Sequence, residues 1–183
     1  MANKIKFGLS RVFVATVSTV STSGQLTYSS PVAIPGSVSL SLTAEGDSSS
    51  FFADNVRYWT MDVNNGYSGD LEVALIPDAI RSAILGETLD AKGFYVEKSS
   101  DKQTEFALLF QFEGDENATK YVLYNCKMAR PDIESATTED GIEVQTVSGE
   151  ITASPRAFDN IVKAQCASTA SSAYTNWFSA VQD

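Results

Sequence analysis

The sequence predicts a mainly β protein, an antiparallel β-sandwich or partly closed barrel, with one flanking α-helix at about 77–85. Three observations carry that expectation. First, Ser37-Val38-Ser39-Leu40-Ser41-Leu42-Thr43 and Leu71-Glu72-Val73-Ala74-Leu75 place large apolar side chains on alternate residues, the period of a strand with one buried face. Second, such strands follow one another across short turn-forming segments, which favours hairpins over an α/β arrangement. Third, the helix carries its own punctuation. Pro77 lacks the N–H that a ladder needs but suits a first helical turn, Asp78 complements the positive helix N-terminus, and Gly86 offers a left-handed cap.

The elements follow in order. Arg11 to Ser18 is rich in β-branched residues, and Ser21-Thr22-Ser23-Gly24 turns it into Gln25 to Ser29, a hairpin. Pro31 and Pro35-Gly36 precede the 37–43 strand, whose Val38, Leu40 and Leu42 are expected to point inward with Leu71, Val73 and Leu75, leaving Ser37, Ser39, Ser41 and Glu72 outward. Glu45-Gly46-Asp47-Ser48 is read as a turn, Phe51 to Thr60 as an aromatic-rich return, and Asn64-Asn65-Gly66 as a second turn, making about 45–66 an extended loop that is expected to be mobile in an isolated molecule and ordered on assembly. Ile76, Ile80, Ala83 and Ile84 recur at helical spacing. Phe94 to Glu97 is a short strand. Glu105 to Glu113 and Thr119 to Met128 flank the polar tip 114–117 as a long hairpin. Ala129 to Gly141 reads as a second extended loop, Glu143 to Ala153 and Arg156 to Gln165 as two further strands, and Ser171 to Gln182 as a candidate closing helix. No repeat interrupts this pattern, so residues 1–183 are expected to form a single domain.

Composition narrows the function classes. With 23 acidic against 13 basic residues, the net charge of −10 repels a phosphate backbone. The start of the chain lacks the apolar segment of a secretion signal, and no apolar run approaches about 20 residues, so a soluble protein made in the cytoplasm is expected. There is no histidine, which removes the commonest general base, the usual metal ligand and every Ser–His or Cys–His pair. Cys126 and Cys166 stand forty positions apart without a CxxC, the pattern of thiols rather than a zinc site or disulfide framework. Gly66-Tyr67-Ser68-Gly69 lacks the spacing of a nucleophile elbow, no phosphate-cradling glycine motif occurs, and Asp62 to Gly66 fits a calcium loop less well than a plain turn. Glu72, Glu105, Glu113, Glu143 and Glu150 show no spacing that singles out a catalytic pair, and Asn117-Ala118-Thr119 reads as a hairpin tip rather than a glycosylation acceptor. No catalytic residue, cofactor or metal is therefore assigned.

A series of short motifs carries a resemblance. Ile34 to Leu40, Glu45-Gly46-Asp47, Phe52-Ala53-Asp54-Asn55, Asn65 to Glu72, Ala74-Leu75-Ile76-Pro77, Phe106 to Phe110, Tyr124-Asn125-Cys126, Arg130-Pro131 and Ile151 to Arg156 resemble, in the same order, the major tail proteins of long, non-contractile-tailed bacteriophages. Each piece is weak alone; their number and order carry the likeness over most of the chain, the Ser/Thr-rich stretch 16–30 fitting least. The resemblance implies a virion tail-tube subunit, a β-sandwich with a flanking helix, assembled as stacked hexameric rings through which genomic DNA passes without specific binding. It implies other tail proteins (tape measure, tail terminator and distal tail) as partners, and neither enzyme activity nor a membrane. On this basis Ser37, Ser39, Ser41 and Glu72 are expected to face the lumen, and Phe51, Phe52, Tyr58, Trp59 and Arg130 to sit at subunit interfaces. Two rival classes use some of the same residues: a glycan-binding module stacking sugars on Tyr58 and Trp59, and a glycosidase built from carboxylates alone.

Overall fold

In the computed structural model, which describes residues 5, 7–114, 118–135, 137, 144–167, 169 and 171–182, the chain is mainly β. β1 (Leu9–Val20) turns into β2 (Leu26–Tyr28) as a hairpin, and β3 (Val32–Ala33) pairs back onto β1. β4 (Ser37–Ala53) and β5 (Val56–Val73) form one long hairpin, and α1 (Asp78–Leu85) follows. β6 (Thr88–Leu89) and β7 (Tyr95–Val96) make a small separate ribbon. β8 (Phe106–Phe112) and β9 (Lys120–Met128) form the next hairpin; β10 (Val147–Ala153), β11 (Lys163–Cys166) and the five-residue α2 (Ser172–Asn176) complete the chain. The main sheet runs β2-β1-β8-β9-β10-β5-β4, entirely antiparallel, with β11 on β9 beside β10.

That sheet curls. Val12 and Val14 from β1 share a core with Leu71 and Val73 from β5, near its other end, together with Phe106, Leu108, Leu123, Met128 and Ile151 from the strands between. Residues so far apart in the strand order meet only if the sheet wraps toward itself, giving the sandwich-like, partly closed architecture expected. Helix α1 packs into the same core with Ile80, Ile84 and Leu85, and Ile76 joins them from just before the helix. Gly86 takes φ +83° as the left-handed cap, and a side chain there would meet the Lys102 carbonyl at 2.9 Å. Ala83, expected on the apolar stripe, is exposed, and Leu85 takes that place.

The outer face of the sheet has its own cluster, Ala15, Ala107, Leu109, Val122 and Tyr124, capped by Trp177, Phe178 and Val181. This explains the uninterrupted apolar run Phe106-Ala107-Leu108-Leu109-Phe110, which is buried on both faces. The C-terminal segment is held largely by side-chain bonds to β9. Buried Lys120 donates to the Tyr174 carbonyl at 2.7 Å, Tyr124 Oη to the Gln182 carbonyl at 2.7 Å, and Trp177 Nε1 to the Tyr121 carbonyl at 3.3 Å. Burial lowers the Lys120 pKa, with the nearby Arg11 charge acting in the same direction. The helix expected over Ser171 to Gln182 is confined to the first part of that segment.

Several expectations change. Glu45 to Ser48 does not turn the chain and Asn64 to Gly66 does not end a loop; both lie inside strands, and the hairpin reverses at Asp54-Asn55, whose φ values of 51° and 60° fit a two-residue type I′ turn. The 45–66 segment is therefore a two-stranded ribbon. Val38 is the extra residue of a β-bulge and is 52% exposed, and Leu75 lies beyond the end of β5 and is 68% exposed, so neither joins the core. The strands expected over Glu143 to Ala153 and Arg156 to Gln165 are shorter, because they pair only where β5 or β9 lies alongside. The tip 115–117, residues 136 and 138–141 of the second loop, and 142–143 beyond it lie outside the described residues; 130–135 carry no regular structure.

Candidate assembly surfaces

β10 pairs with β5 from Val147↔Val73 to Ala153↔Tyr67 and then stops. Beyond Tyr67, β5 has only β4 for a neighbour among the described residues, so 45–66 project as a two-stranded arm, about 30 Å long at the usual rise per residue. Gly66 marks the point of departure: it takes φ +110° in a position where a Cβ would lie 1.9 Å from the Ala153 carbonyl oxygen. Asn65, next to it, is the unpaired residue of a bulge, because the register steps from Glu45↔Gly66 to Gly46↔Asn64.

That bulge inverts the hairpin. In the body, Leu40 and Leu42 lie on the same pleat face as Leu71, toward the core, while Ser39, Ser41, Asp70 and Glu72 take the outer face. One inserted residue in β5 exchanges its faces beyond Asn65. Phe51↔Trp59, Ser49↔Met61, Asp47↔Val63 and Ala53↔Val56 then share the pleat face that was polar in the body, and Ser48↔Asp62 and Ser50↔Thr60 share the other. The arm is thus amphipathic, with Phe51, Val56, Trp59, Met61 and Val63 on one face, all exposed, Trp59 to 50%. The four arm residues expected at an interface are brought together: Phe51 opposite Trp59, Phe52 opposite Arg57 whose guanidinium lies 6.0 Å from its ring centre, and Tyr58 as the extra residue of a second bulge. Val56, Met61 and Val63 are not among the interface residues expected from sequence, although Trp59, Met61 and Val63 alternate there. Arg130 is not on the arm; it lies past the end of β9, ion-paired with Glu97 and near Lys98 and Lys127.

Of the residues expected on a polar face, Ser39, Ser41 and Glu72 are together and Ser37 is not. The bulge at Val38 pairs Ser37 with Val73, on the core side of the pleat, and Ser37 Oγ donates to the Ile34 carbonyl at 3.2 Å. Glu72 accepts from Thr146 Oγ1 at 2.7 Å and Ser39 Oγ at 2.9 Å, and these bonds hold its pKa below the usual carboxylate value. Ser148, Glu150 and Thr152 of β10 extend the face by pairing with Glu72, Asp70 and Ser68. Three adjacent strands thus present hydroxyls and carboxylates, with no cation from β4, β5 or β10 on that stretch.

Among the described residues, no three His, Cys, Asp or Glu side chains are grouped to hold a metal ion, and no helix is long and apolar enough to cross a membrane. In comparison with known proteins, no family model and no curated sequence matches this chain.

Proposed function

We propose that this protein is a structural subunit of a bacteriophage tail tube, without catalytic activity, which assembles with its own copies into stacked hexameric rings around a DNA-conducting lumen. The observation that carries self-association is the arm. A two-stranded ribbon is marginal in water, and this one leaves five large apolar side chains of one face uncovered, an arrangement that gains most of its stability from a partner. The ordered likeness of the motifs to major tail proteins supports the ring, virion and tube parts of the reading, and the mainly β fold with α1 at its side is compatible with it. The face bearing Ser39, Ser41 and Glu72 suits a lumen, because hydroxyls and carboxylates offer a moving polyanion nothing to bind.

Negative-stain microscopy of the purified protein over a range of concentrations tests the proposal. Rings or tubes with a central channel are expected, more readily at moderate than at low salt, because subunits of net charge −10 repel one another less when screened. Single particles of subunit size at every concentration would overturn it.

A further inference from the structure

The molecule carries a second apolar surface that its own arm cannot reach. β1 and β4 lie against each other where the curled sheet comes round, yet among the described residues no ladder joins them, and a cleft of about 530 Å³ opens beside this seam. Leu40, Leu42, Phe110, Phe112 and Tyr121 line it, with Lys163 as the charged member of its lining. Its walls are already built: Phe110 stacks on Tyr121 with centroids 5.3 Å apart, and Phe112 stands edge-on to both. Lys163 is exposed, its Nζ donating to Tyr67 Oη at 2.7 Å.

The arm springs from the same two strands that supply Leu40, Leu42 and Tyr67 to this cleft, and it continues away from them as an extended ribbon. The Asn65 bulge also puts the arm's apolar side chains on the pleat face opposite to the one that lines the cleft. Folding back would require breaking the ladder. The charges are complementary as well: the arm carries Glu45, Asp47, Asp54 and Asp62 against Arg57 alone, and Asp47 shares the apolar face with Phe51 and Trp59.

We infer that the cleft beside the β1–β4 seam receives the apolar face of the arm of a second copy, with Phe51 and Trp59 entering it and Asp47 meeting Lys163. The inference rests on the self-association proposed above and adds the acceptor surface. It joins two different patches of the same chain, a heterologous contact, and such contacts propagate into closed rings or open filaments rather than stopping at a two-fold dimer.

Sedimentation of the full chain tests both levels separately. Val38→Glu alters an exposed residue at the cleft and Trp59→Ala an exposed residue of the arm, so both variants are expected to keep the parent circular dichroism while weakening association about tenfold or more. Lys163→Glu is expected to weaken it about threefold, and adding Asp47→Lys in the same chain to restore it. If Trp59→Ala weakens association and Val38→Glu does not, the arm docks elsewhere: the cleft assignment falls while self-association stands. If the charge exchange fails to restore what Lys163→Glu loses, the Asp47–Lys163 pairing is wrong. Tighter association on deleting residues 1–6 would give the cleft to the chain's own N-terminal segment and overturn the inference, and a parent chain that never associates would overturn both readings.

Discussion

The β4–β5 hairpin is one structure with two environments, and comparing its halves shows what alternation does and does not encode. In the body half, Leu71 is buried in the main core, to which α1, β8 and β10 also contribute, and Leu40 opposite it packs against that core. In the arm half, Phe51 opposite Trp59 is the same kind of cross-strand apolar pair, yet both residues are at least half exposed because no other layer of the described residues lies over them. The strand pattern states that a face is apolar, not what will cover it. In the body other strands and α1 cover most of it; on the arm the described residues supply no cover.

The comparison breaks if the two halves respond alike to truncation. Leu71→Ala, at a side chain 1% exposed, is expected to cost about 2–5 kcal/mol in denaturant unfolding, whereas Trp59→Ala should change subunit stability by no more than about 0.5 kcal/mol. Comparable losses would mean that the arm is part of the subunit's cooperative core. Unfolding is best followed at a concentration where sedimentation shows a monomer, so that mass action does not enter.

Cys126 sharpens the body side of the contrast. It is buried in the main core, and burial pushes its thiol up to about 12. In the unfolded chain a cysteine ionises near pH 8.5, so the folded state holds a proton that the unfolded state releases at alkaline pH. The associated stability is intact below about pH 8.5 and declines by about 1.4 kcal/mol per pH unit from there toward pH 12. Replacing Cys126 by Val should remove that component of the alkaline slope, and an unchanged slope would show that water reaches this part of the core. The smallest effect on stability is expected at the outer polar face, where Glu72→Lys loses only two exposed hydrogen bonds and should leave the denaturant midpoint close to that of the parent. On the proposed tube reading the same change should slow DNA ejection, most at low salt, and an unaffected ejection rate would overturn the assignment of this face to a lumen.

Much of the body is legible in the chain because its signals are local. Pro77 and Gly86 bracket α1, Ser21 to Gly24 closes the first hairpin, and the run Phe106 to Phe110 is apolar enough to identify a strand covered on both sides once a second layer is known. The arm is less legible for the opposite reason. Glu45-Gly46-Asp47 and Asn64-Asn65-Gly66 have turn-like composition but are held extended by each other across the ladder, whereas the real reversal, Asp54-Asn55, is only two residues long. Phe51, Phe52, Tyr58 and Trp59, the residues expected at an interface, are visible in the sequence as an aromatic cluster, but their arrangement on a protruding ribbon depends on where β10 stops. Arg130 carried no local sign of its separation from them.

By itself the sequence determined the mainly β class, the helix and its ends, and the absence of histidine-dependent chemistry, because these follow from residue type and from contacts a few positions apart. Only the tertiary structure decided the facing of the long hairpin. Trp59, Met61, Val63, Leu71 and Val73 all fall on odd positions and read as one face, but the bulge at Asn65 shifts the phase, sending the first three outward and the last two into the core. A single extra residue has this effect because the side-chain period of a strand is two, and whether a residue is extra is set by the partner strand, not by the residue itself.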